Sequence, residues 1–148
     1  MFFKDPETIL ITSLNIDILK SFINNLGNSR NTFRYFENRD IGCINNHLVT
    51  LLHLEDGQPV CYGHLDKEGR DVWLGICVIE KRTGLGLGKK MMHRLTKYAT
   101  DNNINNIKLS VDKGNIKAIS LYENFGFKMT RDGKDKIFMD LNIGERNG

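Results

Sequence analysis

The sequence predicts an α/β domain built on one mixed, mostly antiparallel sheet with helices on its faces, and three observations carry that reading. Three apolar, β-branched runs joined at Asp56-Gly57 and Lys67-Glu68-Gly69 describe an antiparallel meander over residues 48–79. The last run leads straight into a glycine-rich turn, then a segment of helical period, then another strand-like run. No Pro/Gly/Ser linker, repeat or low-complexity tract divides the 148 residues, so a single domain is expected over 1–148.

Taken in order, residues 8–12 are rich in β-branched side chains and read as a first strand. Leu19, Phe22, Ile23 and Leu26 at helical spacing make an amphipathic helix that Gly27 stops. Residues 28–46 are polar around the cluster Phe33-Arg34-Tyr35-Phe36 and have no assignable period; a short helix is expected over 40–45. The meander follows as runs 48–54, 59–65 and 72–79. The third is apolar at almost every position, as a strand buried on both faces would be, which gives it a central place in the sheet. Gly88, Met91, Met92, Leu95, Tyr98 and Ala99 then define one face of a long helix. If that helix is a crossover, the run 107–111 lies parallel to 72–79. A last helix over 115–124 turns Ala118, Ile119 and Tyr122 inward, and runs 127–131 and 136–141 close a hairpin around Asp132-Gly133. Residues 142–148 are expected to fray.

Composition narrows the function classes. The formal charge is +3, with basic residues dispersed among acidic ones except around Lys81, Arg82, Lys89 and Lys90. A nucleic-acid binder shows a broader basic face; a local cluster beside a glycine turn suits a small polyphosphate ligand. Cys43, Cys61 and Cys77 are odd in number and widely spaced, so neither a disulfide framework nor a metal site is expected, and a reducing, cytoplasmic setting follows. The first residues reach Lys4 and Asp5 before an apolar signal region can form, and the run 72–79 is too short to span a bilayer. Neither export nor a membrane anchor is expected. The edge strands of such a sheet leave a homodimer as the expectation for assembly.

Gly84, Gly86 and Gly88 alternate between a buried strand and a helix, removing the Cβ atoms that would keep a ligand from the backbone. The first helical turn adds its unpaired N–H groups, and together these make an anion cradle. A dinucleotide fingerprint GxGxxG anchored at Gly84 needs glycine where Lys89 stands. A Walker loop ending at Gly88-Lys89 needs glycine at Thr83 and a hydroxyl residue at Lys90. Both readings fail on spacing.

The turn Thr83-Gly84-Leu85-Gly86-Leu87-Gly88 resembles the acetyl-CoA loop of the GNAT acetyltransferase superfamily, Gln/Arg-x-x-Gly-x-Gly/Ala between a fourth strand and a third helix. A second family signature, asparagine opening a helix with a tyrosine and then Gly-Phe, is similar to Asn115-Ile116-Lys117-Ala118-Ile119-Ser120-Leu121-Tyr122 followed by Gly126-Phe127. The resemblance covers the C-terminal half. It departs at Thr83, where the family has Gln or Arg, with Arg82 displaced by one.

The resemblance implies a GNAT-like fold whose fourth and fifth strands, here 72–79 and 107–111, splay apart. It implies acetyl-CoA as co-substrate, no metal, and a small-molecule amine as acceptor. Cofactor contacts carry over to the backbone of Ile76, Cys77 and Val78, to the loop from Thr83 through Lys89, to Asn115, which is also a natural helix N-cap, and to Tyr122. Tyr122 matches the family's general acid, against the alternative of a core aromatic on a helix face; an unperturbed phenol is protonated at neutral pH. The run 72–79 carries no acid or histidine, so His64 and Glu80 are the candidate bases, with His53, Asp66 or a water relay behind them. The family's acceptor region falls on residues 31–39. There Phe33, Arg34 and Tyr35 either meet substrate or form an amphipathic element with buried rings and a solvated arginine. Acetyl transfer to a primary amine of a small molecule, an amino sugar for example, is the leading function; acetylation of a protein N-terminus or lysine, and a non-catalytic acyl-CoA-binding module, are the alternatives.

Overall fold

The computed structural model describes residues 7–144. The N-terminal stretch read against a signal region therefore lies almost wholly outside the described residues, as do 145–148. Among the described residues no helix is long and apolar enough to cross a membrane. Seven strands, β1 (Thr8–Leu10), β2 (His47–Glu55), β3 (Gln58–Glu68), β4 (Asp71–Val78), β5 (Asn106–Asp112), β6 (Lys128–Asp132) and β7 (Lys136–Asn142), form one sheet. Its order is β1-β2-β3-β4-β5-β7-β6, so β4 is the middle strand. Helices α1 (Ile16–Asn24), α2 (Leu87–Asp101) and α3 (Ile116–Asn124) accompany it. All neighbouring strands pair antiparallel except β4 and β5, which pair parallel at Trp73 and Lys108.

The strand faces explain the layers. On β3, Cys61, Gly63 and Leu65 lie under α2. A Cβ on Gly63 would stand 2.5 Å from Met91 Cγ, so glycine there lets the helix settle onto the strand. Met91, Met92, Leu95 and Ala99 bury the stripe that the sequence period defines. The alternate residues of β3, Tyr62, His64 and Asp66, face the other layer. There Phe22 of α1 stacks on Tyr62 at 5.9 Å between ring centroids, and Phe33 and Phe36 meet the same ring at 5.3 and 5.7 Å.

Residues 28–46 carry no helical period because they fold as two 3₁₀ turns, Gly27–Asn31 and Ile41–Asn46, around an irregular stretch. The short helix read over 40–45 is the second of these, opened by Asp40, whose carboxylate accepts from the Gly42 N–H at 2.9 Å. In 3₁₀ geometry side chains eclipse every third residue, which erases the α-helical pattern.

The reading of 142–148 as a frayed tail is corrected for its first residues. Asn142 ends β7, and Ile143 is 2% exposed, its N–H donating to the Asn105 carbonyl at 2.8 Å. Met139, Leu141 and Ile143 continue one inward alternation, so burial extends past the strand.

Glu80 fastens the first 3₁₀ turn to the end of β4. Its carboxylate accepts from the Asn28 N–H at 2.8 Å and from Asn28 Nδ2 at 3.0 Å, and its own N–H donates to the Leu26 carbonyl at 3.1 Å. Glu80→Ala removes a cap of charged character and is expected to lower unfolding stability by about 1 kcal/mol. Urea denaturation measures it; an unchanged midpoint would show that the carboxylate adds nothing to the hold of the Ser29 hydroxyl and the backbone bond to Leu26.

Candidate active site

The splay of β4 from β5 sets the site. The Ile79 N–H donates to the Val60 carbonyl at 3.0 Å, and Cys77 is opposite Tyr62. In an antiparallel ladder bonded residues alternate, so Cys77 spends its backbone groups on β3 while Ile76 and Val78 turn theirs toward β5. The Val78 carbonyl is met on that side by the Ser29 hydroxyl, which donates at 2.7 Å. Of the three β4 residues read from the sequence, Ile76 thus offers N–H and C=O to the gap, Val78 its N–H, and Cys77 its side chain.

A cavity of about 850 Å³ occupies the gap. Thr83, Gly84, Gly86, Gly88 and Lys89 line one end of it. Gly84 and Gly86 adopt left-handed backbone at φ of 81° and 82°, and no described residue comes within 4 Å of the place a Cβ would take. Gly86 is the residue from which α2 departs, so the unpaired N–H groups of the first turn face this open ground. Leu85 projects outward at 64% exposure, whereas Leu87 is buried and anchors the helix start in the core. Gly88 lets α2 approach α3, since a Cβ there would lie 3.3 Å from Leu121 Cδ2. Arg82 is turned away and pairs with Glu55 at 2.9 Å. The open Cα faces and free amides fit a pyrophosphate, and Lys89 supplies a cation beside them.

Asn115 and Tyr122 line the facing wall. The Asn115 side-chain oxygen Oδ1 accepts from the Ala118 N–H at 3.3 Å, so this residue both caps α3 and lines the cavity. Tyr122 is 7% exposed, its ring 5.8 Å from that of Phe127. Its hydroxyl has no protein hydrogen-bond partner among the described residues, and no fully buried polar side-chain atom there lacks one. The Tyr122 oxygen therefore opens onto the cavity. Burial pushes this phenol above its ordinary pKa.

The remaining wall belongs to β3 and to residues 28–40. His64, Asp66 and Glu68 line it from alternate positions of β3. Phe33 and Tyr35 line it too, but both are half-buried against Tyr62 and His64. Arg34 crosses to β5 and binds the Asp112 carboxylate through both guanidinium nitrogens at 3.0 Å, bridging the gap. Glu80 lies outside this lining, its carboxylate committed to Asn28. His53 is likewise elsewhere, hydrogen-bonded to Thr8 at 2.9 Å.

The model of the Acetyltransferase (GNAT) family matches residues 16–127. This chain belongs to the GNAT acetyltransferase family. It is 42% identical over 69 residues to the spermine/spermidine N(1)-acetyltransferase of Bacillus subtilis, a match spanning 45% of this chain and 45% of that relative, less than half of either. Among solved structures, the GNAT domain of S. lividans PAT superposes with a TM-score of 0.79 at 16% identity, covering 91% of this chain and 89% of that one. The PaiA N-acetyltransferase of Thermoplasma acidophilum, solved with coenzyme A, gives 0.73 at 16% identity over 91% and 98%. These likenesses extend the GNAT fold to the N-terminal half, where the sequence motifs are silent.

Three residues in or behind this candidate site escape the motifs. Ser29 and Asp112 are reached only through tertiary contacts. Tyr62 had a legible signal: Tyr62 and His64, two apart in a strand, must share a face.

Proposed function

We propose that the chain is an acetyl-CoA-dependent N-acetyltransferase that acylates a primary amine of a small molecule. The observation that carries the reading is one continuous cavity joining the glycine cradle, the open amides of Ile76 and Val78, the Tyr122 hydroxyl and the Asp66–Glu68 wall. Family membership and the amine acetyltransferase name of the B. subtilis relative support it.

Acetyl-CoA supplies an activated acyl carbon and a thiolate leaving group. The chain's own residues do the rest. The first turn of α2 and Lys89 hold phosphate charge, and the free amides of β4 orient the pantetheine and draw charge onto the carbonyl oxygen. Tyr122 gives its phenolic proton to the departing sulfur and regains one from solvent, while the attacking nitrogen sheds its own proton toward the cavity mouth. Transfer is direct. Burial pushes the Cys77 thiol up to about 12, so it stays protonated and is no acyl-carrying nucleophile.

Thermal-shift measurement gives the first test. Acetyl-CoA and CoA raise the melting temperature, by the equivalent of about 2.7 kcal/mol at a hundredfold excess over Kd, and NAD does not. An amine panel with free-thiol detection then shows amine-dependent CoA release. Stabilisation by NAD alone, or CoA release independent of every amine, would overturn the proposal.

A further inference from the structure

Tyr62 and His64 share one face of β3, and both are shut away, at 0% and 2% exposure. The phenol oxygen stands 2.5 Å from His64 Nδ1, and neither side chain has another hydrogen-bond partner among the described residues. One proton must lie between them. If Nδ1 supplied it, the phenolic hydrogen would be left in the core with no acceptor, a costly orphan. If the phenol supplies it, both groups are satisfied and the single ring proton of neutral imidazole sits on Nε2. Burial, with His47 and Arg39 nearby, holds His64 well below the ordinary histidine range, so the ring is neutral at physiological pH.

The other ring nitrogen is free. Because no fully buried polar side-chain atom among the described residues lacks a partner, Nε2 opens onto the cavity that His64 lines. The paired position on β4 is Gly75, where a Cβ would fall 2.8 Å from Nε2 and 2.6 Å from Cε1, so glycine is what lets the ring lie over the strand. The adjacent histidine is oriented alike. Tyr35 donates to the Asp66 carboxylate at 3.3 Å and so accepts from His47 Nε2 at 2.7 Å, leaving His47 Nδ1 to accept from the Thr50 hydroxyl at 2.8 Å. Neither imidazole offers the cavity a lone pair.

We propose that Tyr62 fixes His64 as its Nε2–H tautomer, so that His64 donates a hydrogen bond to the bound acceptor and does not act as the base. Tyr62 is then a positioning residue, and the sequence reading of His64 as base is replaced. The acceptor that fits is an amine bearing a second lone-pair atom, a hydroxyl or carbonyl oxygen or a further neutral nitrogen. The proton shed by the amine passes to water or to Asp66, the nearest carboxylate along the same strand face. The donor role rests on the acyl-transfer reading of the cavity; the tautomer does not.

The test begins with the full chain labelled with ¹⁵N-histidine and long-range ¹H–¹⁵N correlation, the His64 signals being assigned by their loss in His64→Gln. The expected pattern is a bare Nδ1 and a protonated Nε2 that persist below the pH at which ordinary histidines titrate. In Tyr62→Phe, checked for folding by circular dichroism, that pattern gives way to mixed tautomers. A bare Nε2 in the parent chain overturns the proposal. Kinetics with an amine found by thiol release give the second arm. The glutamine amide keeps an N–H near Nε2 and cannot serve as a base, so His64→Gln costs no more than about tenfold in kcat/KM, while His64→Ala costs more. Equal loss in both variants, with disappearance of the acid limb of the pH–rate profile, would make His64 the base. Absence of turnover with every amine would remove the donor role together with the acyl-transfer reading, and the spectrum would still decide the tautomer.

Discussion

Tyr122→Phe is expected to lower kcat by about a hundredfold or more while leaving the affinity for acetyl-CoA within about twofold, because positioned general acids contribute about 10²–10⁴ to rate. A hundredfold corresponds to about 2.7 kcal/mol of barrier. The substitution deletes one oxygen and nothing else. That oxygen has no protein partner among the described residues, so no hydrogen bond is orphaned, and the ring keeps its contact with Phe127. The melting temperature should therefore stay near that of the parent. Burial raises this phenol's pKa, so it remains protonated across the neutral range and adds no limb of its own to the pH–rate profile there. Steady-state kinetics with calorimetric acetyl-CoA titration separate the outcomes. Unchanged kcat would remove Tyr122 from the chemistry and leave it a wall of the cavity.

The parts of this molecule that local sequence chemistry dictates were readable in advance. Asp56-Gly57 can only turn, with φ of 50° and 79°, so the β2–β3 hairpin follows from two residues. The apolar continuity of 72–79 put β4 at the centre, and the glycine turn after it put the cradle at the start of α2. What was not readable depends on long-range pairing. Glu80 reads as a candidate base at a strand end until its carboxylate is found to accept from Asn28, far away in sequence. Arg34 reads as a solvated or substrate-facing cation, and nothing local shows that Asp112 binds both its nitrogens. His64 illustrates both limits: its presence near the cavity was legible, but which nitrogen it presents is decided by Tyr62, whose burial no periodicity could give. The 3₁₀ turns around Phe33–Phe36 leave no period for a sequence to display, and so the wall they form was the least legible part.

The glycine cradle predicts a loss that strain alone cannot produce. Gly86→Val places a β-branched residue at φ 82°, which costs about 1–2 kcal/mol of conformational energy, and fills ground the phosphates need. Among the described residues nothing lies within 4 Å of the new Cβ, so the chain should still fold, with a melting temperature only a few degrees lower. Affinity for acetyl-CoA should fall by about a hundredfold or more, as the backbone donors are covered. Gly57→Val is the matched control: φ there is 79°, the Cβ is equally unobstructed, and the residue turns β2 into β3 outside the cavity lining. It carries the same backbone strain and should bind acetyl-CoA as the parent does. If both variants lost affinity together, strain would be propagating through the sheet and the cradle would not be the cause. If Gly86→Val bound normally, the phosphates would have to lie elsewhere, with Lys89 and the amides of α2 no longer their holders.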